Sequence, residues 1–154
     1  MTEIDLPYFG RIELDPLREI YDANVVLDGM PSEIWLEFFE ERTAKGADWQ
    51  VVLVFLGQIE RHANTARRTL RTALGQEELA SYRNHHISEG VLPRETDLNA
   101  LQRVMKLRKV GIRPKPGRDE FATFDFTLPD DVTNQLMVVR LTGAGEAVSV
   151  DMES

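Results

Sequence analysis

The chain has 154 residues, 42 % hydrophobic and 29 % charged, a length and balance that suit one folded domain rather than a disordered segment. Its 26 acids against 18 lysines and arginines leave a net charge of −8 and a pI near 4.9, which argues against a nucleic-acid binder. The absence of cysteine excludes disulfides, thiolate zinc sites and cysteine nucleophiles, and fits a reducing compartment.

The opening "MTEIDLPYFGRIELD" has neither a basic n-region nor an apolar h-region, so no signal peptide is expected. Within "YFGRIELDPL" a short strand closes at Asp15-Pro16, followed by one expected helical turn over Leu17 to Tyr21. Asp28-Gly29 then supplies a hairpin turn between two β-rich runs. Beyond it Ile34, Leu36 and Phe38 alternate with Trp35, Glu37 and Phe39, the period of two expected of a strand.

The middle of the chain changes period. Trp49, Val52, Phe55, Leu56, Ile59, Ala63, Ala66, Leu70 and Leu74 form one apolar stripe on a helical wheel, stopped by Gly75. The β-branched run Val51–Leu56 would also suit a buried strand, but the stripe continues through Ile59 and favours helix. That run is also far short of the roughly 20 apolar residues a membrane span needs. A second helix is expected from Glu77 to Ile87, broken by Gly90 and Pro93. A third, capped by Thr96-Asp97, turns Leu98, Leu101, Val104 and Met105 inward.

Strands return at the end. Lys106 to Arg113 is one candidate, ended by "RPKPG". In "FATFDFTL", Ala122, Phe124, Phe126 and Leu128 share one face and Thr123, Asp125 and Thr127 the other. The closing segment is a hairpin across Gly143-Ala144-Gly145, with Ser149, Asp151 and Glu153 facing away from Val148, Val150 and Met152. Strands, then helices, then strands, with no repeating βαβ unit, specify a single α+β domain over residues 1–154. The sheet should be mainly antiparallel. Hairpins at 24–39 and 134–153 belong to it, and the helices pack on one face.

Charge is segregated along the chain. Residues 1–41 hold 11 acids against 2 bases, residues 42–118 hold 7 against 15, and residues 119–154 hold 8 against 1. The arginines of "IERHANTARRTLRTAL" fall mostly opposite the apolar stripe: Arg61, Arg68 and Arg71 read as a solvated helix face. Arg67, on the flank, covers apolar surface with its stem while its head reaches water. No aromatic lies between Phe55 and Tyr82 to stack on bases. His85 and Glu89 share a helix face at the spacing of a metal pair, but with His86 they make no recognisable zinc pattern. They are expected to be solvated, and no metal or cofactor is assigned. His62 could join them only by tertiary approach. Asp125 is the one acid within a strongly apolar strand, and its simplest reading is an exposed strand position. GxSxG, Walker and GxGxxG patterns are absent, and "TGAGEA" is hairpin punctuation.

Four segments, "LPYFGRIELDPL", "NVVLDG…EIWLEF", "RVMKLRKVGIRP" and "FDFTLPDDVTNQLMVVRLTGAGEAVSVDMES", together resemble an uncharacterised bacterial domain-of-unknown-function family. Some of its members look like immunity proteins of polymorphic toxin systems. The shared segments are turns and strands, so the resemblance implies a fold and a binding role and carries over no catalytic residue.

The leading expectation is a cytoplasmic bacterial protein-binding domain, immunity-like, that meets a basic protein partner through acids on its sheet. Glu37, Asp125, Asp151 and Glu153 are the candidates. Neither nucleic acid nor membrane is expected as a partner. Two alternatives stand beside it: a small enzyme using scattered carboxylates with His85 or His86, and a housekeeping homo-oligomer paired through apolar strand faces.

Overall fold

The structure, a computed structural model, describes residues 2–15, 17–38, 47–114 and 120–154. Two hairpins open the chain: β1 (Thr2–Leu6) with β2 (Gly10–Leu14), then β3 (Ile20–Leu27) with β4 (Met30–Glu37). Asp28 and Gly29 both adopt positive φ, 55° and 73°, the conformation that lets a two-residue turn follow the right-handed twist of its strands. Four helices follow: α1 (Trp49–Gly57), α2 (Ile59–Thr69), α3 (Gln76–Ser88) and α4 (Leu98–Val104). The chain closes with β5 (Lys106–Ile112), β6 (Ala122–Thr127), β7 (Leu136–Leu141) and β8 (Ala147–Glu153).

β3 to β8 form one six-stranded sheet in sequence order, while β1 and β2 pair separately. Every pairing in the large sheet is antiparallel except β4 with β5. That exception follows from the intervening helices, since a helical crossover can return the chain in the same direction. The class is α+β, with strands at both ends and helices in the middle. Among the described residues no helix is long and apolar enough to cross a membrane.

The helices lie over one face of the sheet. Phe55 of α1 stacks near Phe124 of β6 and against Phe121, with ring centroids 6.3 Å and 5.2 Å away. Leu27, Ile34, Leu36, Val52, Leu56, Val110, Phe126 and Val139 are sealed in the same core. Each such side chain contributes about 1.5–3 kcal/mol of burial free energy. The β1–β2 hairpin adds Leu6, and its exit is tied to β3: the Asp15 N–H donates to the Tyr21 hydroxyl at 2.8 Å.

Several local expectations are corrected. The Leu17–Tyr21 helical turn is absent: Arg18 and Glu19 are irregular, and Ile20 and Tyr21 already belong to β3. The single long stripe is two helices, because the chain breaks at Gly57-Gln58, where glycine disfavours helix by about 1 kcal/mol relative to alanine. α2 ends at Thr69, so Leu74 lies in a turn and is exposed, and Gly75 starts α3 rather than ending α2. Val104 is also exposed, while Leu101 and Met105 fill the core. The run Val51–Leu56 is helical, and Asp97 caps α4 by accepting from Ala100 N–H at 2.7 Å. Phe39 and part of "RPKPG" fall outside the described residues.

Arg67 corrects a different expectation. Its guanidinium does not reach water freely; it donates to the carbonyls of Gln102 (2.6 Å) and Met105 (2.8 Å) and to Asp28 (2.5 Å). One side chain thus satisfies carbonyls at the end of α4 and fastens the β3–β4 turn to α2. Arg61 and Arg68 are exposed and, among the described residues, reach only local side chains, Gln58 and Thr65. Arg71, also exposed, bonds Asn99 at 2.7 Å.

Candidate functional site

Alternation in the strands puts most polar residues of β4, β5, β6, β7 and β8 on the sheet face turned away from the helices, Ser32 of β4 being buried on the other. The register aligns Glu33 of β4 with Lys109 of β5 and Asp125 of β6, and Val138 of β7 lies between Asp125 and Asp151 of β8. One step along, Trp35, Gly111, Thr123, Arg140 and Ser149 form the adjacent row. Glu37, Asp125, Asp151 and Glu153, drawn from three separate strands, therefore share this face.

The face is ordered by ion pairs. Glu37 is only 7 % exposed and accepts from Lys109 Nζ at 3.5 Å and Arg113 Nε at 3.3 Å. Gly111 makes this possible, since a Cβ there would stand 2.9 Å from both the Glu37 carboxylate and the Thr123 hydroxyl. Lys109 also lies over the Trp35 ring, 4.2 Å from its centroid. The Trp35 Nε1–H is shielded from solvent and has no hydrogen-bond partner among the described residues. At the opposite side Arg140 bonds Asp151 and Glu153, each at 2.6 Å, and lies 3.7 Å from Glu120.

Asp125 sits between these two clusters. Burial pushes its pKa up to about 6, with Glu153 and Glu37 adding to the rise and Lys109 and Arg140 opposing it. The simple exposed-strand reading of Asp125 is thus corrected: it is half-buried, and its charge is held against desolvation. Of the four candidate acids, Glu37 and Glu153 both act on Asp125, from opposite sides of it. Only Asp151 and Glu153 are exposed enough to meet a partner without rearrangement.

The histidines lie elsewhere. His62 of α2 is buried and stacks on Phe55 at 4.2 Å, beside the β7–β8 turn. His85 is exposed, but His86 is 1 % exposed, which corrects the picture of a solvated pair. Leu79, Tyr82 and His86 form the inward stripe of α3, and the His86 ring bonds the Tyr82 carbonyl through Nδ1 (2.7 Å) and Thr133 Oγ1 through Nε2 (2.8 Å). His85, His86 and Glu89 line a cleft of about 680 Å³ with Arg108, Asp131 and Thr133. Among the described residues no group of three or more His, Cys, Asp or Glu side chains is arranged to hold a metal ion.

Lys109, Arg113 and Arg140 are the face residues that sequence reasoning missed. A signal existed for one of them: Arg140 is the sole base in the acidic segment 119–154. Thr133 and Arg108 in the cleft carried no signal, because a turn and a strand irregularity bring them to α3. Comparison of the chain with family models, curated proteins and solved structures returns no match.

Proposed function

We propose that the chain is a protein-binding domain whose working surface is the charged face of the sheet and whose partner is a basic protein. The observation that carries this reading is the convergence of Glu37, Asp125, Asp151 and Glu153 from β4, β6 and β8 on a face that no described helix occupies. Exposed acids steer a basic partner into encounter, and the Arg140 and Lys109 pairs fix the acids in place before contact. Retention of an ionised carboxylate at Asp125, where burial opposes it, supports a role other than stability. The reading includes membership of the bacterial immunity-like family that the sequence resembles, and a cytoplasmic location.

The test is capture of a partner followed by association rates over a salt series. Asp151→Lys with Glu153→Lys should slow association at low salt by 10-fold or more, on the order of the steering range. The slowing should shrink as the Debye length falls toward about 8 Å at physiological ionic strength. Equal rates for wild type and the double variant at low salt would remove the face from consideration.

A further inference from the structure

The cleft beside α3 holds an arrangement that a binding surface does not need. A carbonyl can only accept, so the Tyr82 carbonyl at 2.7 Å fixes the proton of His86 on Nδ1. Nε2 is then left with its lone pair, and the Thr133 hydroxyl donates to it at 2.8 Å. The backbone N–H of Gln135 donates in turn to Thr133 Oγ1 at 3.1 Å, which favours negative charge on that oxygen. A hydroxyl, a neutral imidazole at hydrogen-bond distance and a third group that orients the imidazole are the parts of an activated oxygen nucleophile.

Three further features concentrate here. Asp130 and Asp131, immediately before Val132 and Thr133, both adopt left-handed backbone, with φ of 63° and 52°. Such consecutive non-glycine outliers are strained and cluster at functional sites. The register shift between Leu107 and Lys109 makes Arg108 the extra residue of a β-bulge, and Arg108 lines the cleft. Ser32 Oγ, itself buried, donates to the Leu107 carbonyl at 2.7 Å and so stabilises the bulge from β4. A nucleophile–base pair, a strained turn and a re-aimed cation thus meet at one cleft of about 680 Å³.

We propose that this cleft is an acyl-transfer site, with Thr133 as nucleophile, His86 as general base and an ester as the substrate class. Thr133 Oγ1 bonds to the acyl carbon while its proton passes to His86 Nε2. The tetrahedral intermediate collapses, the carbon–oxygen bond to the alcohol breaks, and the alcohol leaves with that proton. Water then attacks the acyl-Thr133 carbon and gives its proton to Nε2. The carboxylic acid departs, and Thr133 regains its hydroxyl proton from the imidazolium. The Tyr82 carbonyl is a positioning group throughout, and the Arg108 guanidinium is the cation available to a developing oxyanion. The site stands on residues separate from the charged sheet face, so the two readings succeed or fail independently.

The same bonds would also fasten the 130–135 turn to α3, so the experiment must see chemistry rather than folding. Wild-type protein is mixed with p-nitrophenyl acetate, nitrophenolate release is followed, and trapped protein is examined by peptide mass spectrometry. An acetyl group on Thr133, with an initial burst, is the expected result. Thr133→Ser should keep turnover, whereas His86→Gln should lose about 100-fold, the scale of general-base catalysis. Burial holds the His86 pKa below its usual 6.5, so wild-type turnover should be level above that pH and fall in acid. No acetyl group on Thr133 of the wild type, or an equal burst from Thr133→Val, overturns the proposal. The wild-type adduct alone decides the matter should the valine variant prove unstable.

Discussion

On the charged sheet face burial works against an anion, and in the α3 cleft it works against a cation. Asp125 has its pKa pushed up to about 6 from 3.8, whereas His86 is held below 6.5, and in both cases burial is the largest cause. The difference lies in the neighbours. Asp125 has Lys109 and Arg140 nearby to keep it ionised at neutral pH. The His86 ring is instead packed on Tyr82 at 4.1 Å, with both nitrogens engaged. The comparison separates two kinds of site: one keeps charge ready for a partner, and the other keeps a lone pair ready for a proton.

Their linkages to folding have opposite signs. Asp125 binds its proton more tightly in the folded chain, so its contribution is fully present below pH 3.8 and is lost as pH rises through about 6. His86 binds its proton less tightly when folded. Its contribution is fully present above pH 6.5 and is lost as pH falls through its depressed folded pKa. The cleft therefore loosens in acid, and the sheet face is strained in base.

The largest expected effect tests the cleft. His86→Ala removes the hydrogen bonds that the imidazole makes to the Tyr82 carbonyl and the Thr133 hydroxyl and opens a cavity at a buried position, which together cost about 3 kcal/mol. Urea unfolding at pH 8 should show that loss, and the gap to wild type should narrow at pH 5, below the 6.5 at which the unfolded chain takes up the imidazole proton that the folded chain resists. A loss under about 1 kcal/mol would mean that water replaces the imidazole and that the cleft is not organised by it.

Asp125→Asn comes next and should have the opposite sign. Removing a carboxylate that is ionised against burial should stabilise the protein at pH 8 by on the order of 2 kcal/mol. The gain should disappear below pH 3.8, where both side chains are uncharged. If the asparagine variant is no more stable at pH 8, the carboxylate is well solvated and the contrast between the two regions collapses. The same variant should bind a basic partner more weakly, which would display the exchange of stability for function directly.

Much of this was legible in the residues themselves. Strand alternation placed Glu37, Asp125, Asp151 and Glu153 on common faces, and Asp28-Gly29 announced its turn. What alternation cannot report is how far a face is shielded. Glu37 reads as an ordinary outward acid, yet Gly111, with no Cβ, lets its carboxylate settle beside Thr123 and under two cations. The α2 arginines show the same limit. Arg67 and Arg68 are adjacent and chemically identical, but 100° of helix rotation gives one three partners and the other a local contact. His86 could have been found, since Leu79, Tyr82 and His86 recur at spacings of three and four. Thr133 could not, because its meeting with His86 joins residues 47 apart in the chain.

The smallest expected effect falls on a third surface and guards the comparison itself. Arg61 and Arg68 are exposed, and among the described residues each donates only to a side chain one turn away, at 3.3 Å and 3.4 Å. Arg71 reaches Asn99 from an exposed position. Long contacts and exposed partners contribute little, so each change to glutamine should cost no more than about 0.5 kcal/mol. The triple variant should unfold within about 1.5 kcal/mol of wild type and keep both partner association and ester turnover. It also raises the negative charge of the chain, which should speed encounter with a basic partner slightly at low salt. If the triple variant folds normally and yet loses the partner, the working surface is the outer side of α2. Neither the sheet face nor the cleft would then account for binding, however well their own variants behave.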